Sequence, residues 1–341
     1  MQLTDVWFVL IAVLWTGYFV LEGFDFGVGM LLSTLSSDDT DRRVLVNTIG
    51  PVWDGNEVWL LVAGGATFAA FPGWYASLFS GFYLALLLIL VTLIVRGVAF
   101  EYRGKVDSLR WRRNWDRAIA TCSALPALLW GVAFGNVVRG VPLDARHTFT
   151  GTFLALLNPY ALLGGLTTLV IFALHGAVFL SLKTDGEIRT RARRLAGKLG
   201  VAAVPIAGGF LLWTQLAHGT GWTALTALVA ALALVGGLLA VRVGREGWAF
   251  LCTALTIVLA TATLFGALYP DVLPSSTNPA YSLTTTNSAS TPYTLGIMTW
   301  VAVVFTPIVL TYQAWTYWVF RQRLTRASIP TEAGLPVPGT R

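Results

Sequence analysis

The chain has 341 residues, 55% of them hydrophobic and only 12% charged, with a mean hydropathy of +0.68 and a net charge of +6. A soluble domain carries about 25% charged residues, so this composition excludes a soluble enzyme and points to a polytopic membrane protein. In such a protein the positive excess is read from its placement along the chain, and no nucleic-acid partner is expected.

The opening MQLTDVWFVL has no basic n-region and no small-residue cleavage site, so the first apolar run is expected to remain as a helix. A spanning helix needs ~20 mostly apolar residues. Nine windows qualify: 6–32, 52–71, 77–100, 117–136, 160–182, 201–217, 222–241, 248–269 and 294–320. All are read as helices, because an open sheet cannot satisfy its backbone in lipid and the alternation of barrel strands is missing. The predicted fold class is an all-α polytopic membrane protein of nine transmembrane helices.

The first window contains LEGFDFGVGML, with Glu22 and Asp25 one turn apart. Gly23 and Gly27 form a GxxxG pair and Gly29 follows, a spacing that lets helices approach closely. The second window opens with PVWDGNEVWL, which holds Trp53, Asp54, Asn56 and Glu57. Asp54 and Glu57 are three residues apart and share a helix face. The third window ends with Arg96 and Glu101, and the fourth carries a second small pair, Gly131 and Gly135. His175, in the fifth, is the one histidine inside a predicted span; His147 and His218 fall in connections.

Haem in electron-transfer subunits usually takes paired axial ligands. Met30 and Met298 could complete a pair, but nothing places them opposite His175, which is read as a packed or hydrogen-bonded group. Cys122 and Cys252 lie in apolar runs with no CxxC, so no metal or redox site is expected. The last connection, YPDVLPSSTNPAYSLTTTNSASTPY, is rich in Ser, Thr, Asn and Pro and reads as an exterior loop over about 270–293. Residues 1–329 read as one transmembrane domain and 330–341 as a disordered cytoplasmic tail.

The basic residues sort by side. Arg42 and Arg43, the Arg-rich runs 103–117 and 183–198, Arg242, Arg245, the C-terminal arginines and Arg96 all fall on one side of a nine-span arrangement, and together they make 21 of the 23 basic residues. Arg139 and Arg146 are left on the other. The positive-inside rule then places the N-terminus outside and the C-terminus in the cytoplasm. Glu22 lies roughly 24 Å down the first span from Val6, at 1.5 Å per residue. Glu22, Asp25, Asp54, Glu57, Arg96, Glu101 and His175 thereby gather in the inner half of the membrane.

An acid at that depth costs ~2.5–3.5 kcal/mol on insertion scales, which asks for a purpose. Four acids against one membrane arginine can share protons, as a proton-uptake path requires. The alternative is capping: Pro51 suits the first position of the second helix, and Asp54 and Glu57 would then sit at a positive helix end.

At GFDFGVGML, GPVWDGNEVWLLVAGGATFAAFP, SGFY, RGVAFEYR, WRRNWD, GVAFGN, LLNPY and MTWVAVVFTPIVL the sequence resembles subunit II of the bacterial cytochrome bd quinol oxidases, in order over nearly the whole chain. The resemblance implies a bacterial plasma-membrane protein paired with a subunit I that carries two b-type haems, haem d and the quinol site. It implies no haem ligated by this chain, a bound structural quinone in some members, and small single-helix accessory subunits in others. It assigns the proton-path acid to Asp54 and matches Glu22, Asp25 and Arg96 to family positions. Glu57 and His175 stand where other members can have Gln. A proton-coupled transporter, or a purely structural subunit with capping acids, remains as an alternative; paired broken helices and repeat halves, which a transporter would favour, are absent from the sequence.

Overall fold

Long apolar runs in this chain become long helices because only a helix closes its own backbone hydrogen bonds without water. The computed structural model describes residues 2–329, and its helices in order are α1 (Leu3–Leu35), α2 (Asp39–Ile49), α3 (Trp53–Ala70), α4 (Pro72–Gly81), α5 (Tyr83–Tyr102), α6 (Leu109–Arg139), α7 (Pro159–Lys183), α8 (Gly186–His218), α9 (Gly221–Arg242), α10 (Glu246–Leu268) and α11 (Pro292–Val319). Eight of these, all but α2, α3 and α4, are long and apolar enough to cross a membrane. Helix α3 has 18 residues, and Asp54, Asn56 and Glu57 in its first turns lower its hydropathy. The tail expected over 330–341 lies outside the described residues.

Three expectations about boundaries change. The third window, 77–100, is two helices: α4 ends at Gly81 and α5 begins at Tyr83, with Phe82 between them. Gly81 sits against Phe149, where a Cβ would come within 2.8 Å of the ring, so the bend is set by packing. The Arg-rich stretches read as connections are helical from Leu109 and from Gly186 onward, because α6 and α8 run on past the apolar run as polar first turns. Ser108 and Asp185 cap them, accepting from the backbone N–H groups of Trp111 and Gly186. Pro51 precedes α3 and does not open it, since Val52 is the N-cap.

Helix α2 is a short amphipathic element with Asp38 as its cap and Val44, Leu45, Thr48 and Ile49 buried. The connection between α10 and α11 carries a small antiparallel pair, β1 (Asp271–Leu273) with β2 (Leu283–Thr284).

Helix α1 lies at the centre, packed against α3, α6, α7 and α10. It crosses α7 where Gly27 meets Gly176: a Cβ on Gly27 would stand 2.1 Å from the Phe172 carbonyl oxygen and 2.7 Å from Gly176 Cα. Gly23 abuts the Phe172 ring and Gly29 abuts Ser123 of α6, so all three glycines are packing positions. Gly131 of α6 and Gly164 of α7 make a second close crossing. Two motif asparagines join near the end opposite the arginines: Asn158 caps α7 and donates to Asn136 Oδ1 at 2.8 Å. Helix α11 stands at the edge of the bundle, tied at its start by Trp7 Nε1, which donates to Leu295 O and Thr299 Oγ1.

Candidate functional site

Helices α1, α3, α5 and α11 bring their polar side chains to one place. Glu22 and Asp25 come from α1, Asn56 and Glu57 from α3, Arg96 from α5, and Gln313 and Tyr317 from α11. Glu22, Asp25, Asn56 and Arg96 are each 0% exposed. Arg96 Nη1 donates to Glu22 Oε1 and lies 3.9 Å from Glu57 Oε2. Its guanidinium also stands over the Phe26 and Phe100 rings, at 4.8 and 5.2 Å from their centroids. Asn56 Nδ2 donates to Asp25 Oδ2 at 2.7 Å. The amide is held in that orientation because Tyr317 Oη and Gln313 Nε2 donate to Asn56 Oδ1, at 2.7 and 3.3 Å. Trp59 Nε1 in turn donates to Gln313 Oε1 at 2.9 Å.

Three carboxyl groups face one guanidinium here. A buried site resolves such an imbalance by binding protons, since an unpaired charge in a low-dielectric interior is far more costly than a neutral acid. Glu22 Oε2, Asp25 Oδ1, Arg96 Nε and Arg96 Nη2 have no protein partner, so the cluster keeps spare donor and acceptor capacity. Glu57 is the member in touch with the outside, with 21% of its side chain exposed.

Of the residues singled out in the sequence, Glu22, Asp25, Asn56, Glu57 and Arg96 come together. Trp53 packs on Phe100 at 5.1 Å between ring centroids and closes the side of the cluster. Asp54 and Glu101 are exposed and do not join it. Asp54 lies in the first turn of α3, one turn before Glu57, and makes no ion pair with Arg96 among the described residues. Gln313 and Tyr317 were missed; an amide, the only one in a helix with no charged residue, with a phenol one turn on, was the available signal.

His175 lies apart from this cluster. Its Nδ1 is 2.7 Å from Thr253 Oγ1, its Nε2 is 3.2 Å from the Val20 carbonyl, and its ring stacks on Phe250 at 4.6 Å. A carbonyl only accepts, so Nε2 donates to Val20 O, while Nδ1 is paired with the Thr253 hydroxyl, which also donates to Phe250 O at 3.0 Å. Both nitrogens are engaged, and neither is free to hold an iron. Met30 and Met298 are at opposite ends of the bundle, because α1 and α11 run side by side from Trp7 and Leu295. These residues do not fit a haem ligand set.

At residues 3–320 the chain matches the family model described as cytochrome bd terminal oxidase subunit II. The chain belongs to this family. It is 42% identical to the cytochrome bd ubiquinol oxidase subunit 2 of Bacillus subtilis, over 95% of this chain and 97% of that one. It is 39% identical to the cytochrome bd-I ubiquinol oxidase subunit 2 of Escherichia coli K12, over 95% and 96%. A chain of the bd oxidase of Geobacillus thermodenitrificans shares the fold, with a TM-score of 0.77 and 16% identity over 94% of this chain and 99% of that one. The protein is therefore a multi-pass membrane subunit of a bd-type terminal oxidase, and a subunit II implies a subunit I beside it.

Proposed function

We propose that this chain is the haem-free half of a quinol-oxidising, oxygen-reducing complex of the bacterial plasma membrane, and that it conducts protons from the cytoplasm toward the haem-bearing subunit I. In this reading residues 1–329 form one transmembrane domain, α3 is the ninth span, the N-terminus is outside and the C-terminus is cytoplasmic. The placement of 21 of 23 basic residues on one side supports the orientation. The haems, bound by the partner, pass electrons from quinol to oxygen. This chain supports that partner and supplies protons; a structural quinone and small single-helix accessory subunits are further expected neighbours.

The observation that carries the reading is the buried cluster itself, three carboxyl groups around Arg96 with two carboxylate oxygens unpartnered. Glu57, partly exposed, receives the proton at the cytoplasmic side. Arg96 holds Glu22 beside it and tempers the field of each incoming charge. Asp25, fixed by Asn56, keeps Oδ1 free for onward transfer. Reducing oxygen with cytoplasmic protons while quinol releases its own outside builds a gradient without a pump.

A second reading applies to Asp54 alone. In the first turn of α3, exposed and without a side-chain partner in the cluster, it complements the helix dipole, worth about 0.3–1 kcal/mol. The test is a set of neutral substitutions in the purified complex: Glu22→Gln, Asp25→Asn, Glu57→Gln and Asp54→Asn. The proton-path reading expects intact haem spectra with at least tenfold slower oxygen consumption for the first three, the loss of about 1.4 kcal/mol of barrier lowering; slow turnover in Asp54→Asn would place Asp54 before Glu57 on the path, and normal turnover would leave it a helix cap. Full turnover in all three would leave the cluster a structural one.

A further inference from the structure

Helix α6 begins with two different faces at the arginine-rich end. One turns inward, where Arg112 pairs with Asp39 at 3.0 Å and with Asp107 at 2.6 Å, and Asp116 pairs with Arg103 at 2.5 Å. The other carries Arg110, Arg113, Asn114 and Arg117, which line a cavity of about 420 Å³. No acid lines it, and Arg110, Arg113 and Arg117 form no ion pair among the described residues. Their spacing of three, four and seven residues puts them on one stripe of the helix, over roughly 10 Å of its length. Three guanidinium groups so close together repel one another unless an anion lies between them.

The surroundings say what kind of anion. The same stripe continues past Arg117 through exposed Thr121 and half-buried Leu125 and Leu128, so a charged hollow leads directly into apolar surface. Trp111 and Trp115, with rings 5.6 Å apart, stand on the same two turns of α6 as the arginines, and Trp111 Nε1 donates to the Tyr102 carbonyl at 2.8 Å. Paired tryptophans mark the depth at which hydrocarbon gives way to headgroups. Arginine forks match phosphate oxygens two at a time, and the Asn114 amide adds a neutral donor.

We propose that the hollow formed by Arg110, Arg113, Asn114 and Arg117 binds the phosphate headgroup of an anionic phospholipid, whose acyl chains lie along α6 beyond Arg117. The inference rests on the membrane location of the family and is independent of the proton path.

The purified two-subunit complex, stripped of lipid, is mixed with cardiolipin, phosphatidylglycerol or phosphatidylcholine, and bound lipid is counted by native mass spectrometry. The anionic lipids bind and phosphatidylcholine does not. Each arginine near an anionic headgroup contributes about fivefold in affinity, so Arg110→Gln/Arg113→Gln/Arg117→Gln together weaken retention roughly 100-fold. The matching Lys triple, which keeps the charge, restores most of it. Three results overturn the proposal: unchanged lipid retention in the Gln triple, displacement of the lipid by millimolar inorganic phosphate, or loss of subunit I from the Gln triple with lipid binding intact, which would make the hollow a subunit contact.

Discussion

His175 is buried on α7 with a partner on each ring nitrogen and an aromatic ring stacked against it. A side chain so placed acts by filling space and by joining α1, α7 and α10. His175→Ala should therefore cost about 2–4 kcal/mol through the cavity it leaves. The measurement is thermal melting of the purified complex, with a lower melting temperature and a normal haem spectrum in whatever assembles. His175→Gln, which can still donate and accept, should lose much less. A fully assembled His175→Gln complex lacking a haem band would make the residue a ligand and refute the packing role. The same accounting separates the acids: Glu22 and Asp25 are held by Arg96 and Asn56, whereas Asp54 is held by nothing in the cluster.

At the level of elements, the α1–α7 crossing sets where the acids of α1 stand. With Gly27 against the backbone of Phe172 and Gly176, even one added methyl forces the helices apart. Gly27→Ala should destabilise the complex by about 1–3 kcal/mol, as overpacking does. It should also slow oxygen reduction, because α1 would carry Glu22 away from Arg96. Gly208→Ala on α8, where a Cβ meets nothing within 4 Å, is the control and should leave melting and turnover unchanged. The crossing was legible in the sequence, since Gly23, Gly27 and Gly29 beside two acids already implied a protein-facing stripe. So were the helices, because apolar length decides them. The partners within the site were less legible. Spacing placed Asp54 and Glu57 on one face, but a helix face is broad enough for one to reach Arg96 while the other faces outward. Nothing local in α11 says that Tyr317 and Gln313 reach Asn56, a contact 257 to 261 residues away along the chain. Helix α2 is not legible as a span, because its 11 residues are too few and too polar to cross a membrane.

For the whole molecule, α2 works as a knot at the arginine-rich end. Asp41 is buried and accepts from Arg191 of α8 at 2.6 Å and from Arg326, beyond α11, at 2.7 Å. Asp39 accepts from Arg103 and Arg112, and Asp116 of α6 takes Arg103 at 2.5 Å with Arg42 of α2 at 3.7 Å. Four acids and five arginines thus fasten α2, α5, α6, α8 and the segment after α11 into one layer. Removing Asp41 leaves two arginines without their buried acceptor. Breaking a fully buried pair costs about 3–5 kcal/mol, but Arg326 is half exposed and water screens it, so Asp41→Ala should cost nearer 1–3 kcal/mol. The expected signature is local: limited proteolysis should cut the segment 320–329 in Asp41→Ala and spare it in the parent. Acid should do the same. The backbone N–H of Asp41, and then Arg326, hold the Asp38 carboxyl below its ordinary range. A carboxyl lowered on folding contributes stability that is present above its unfolded value of ~3.9 and is lost as pH falls through the lower folded value. Protease sensitivity of this segment should therefore rise only below about pH 4, and Asp38→Asn should flatten that rise. Cutting that follows pH equally in the Asp38→Asn complex would show that Asp38 is not the group that closes the layer.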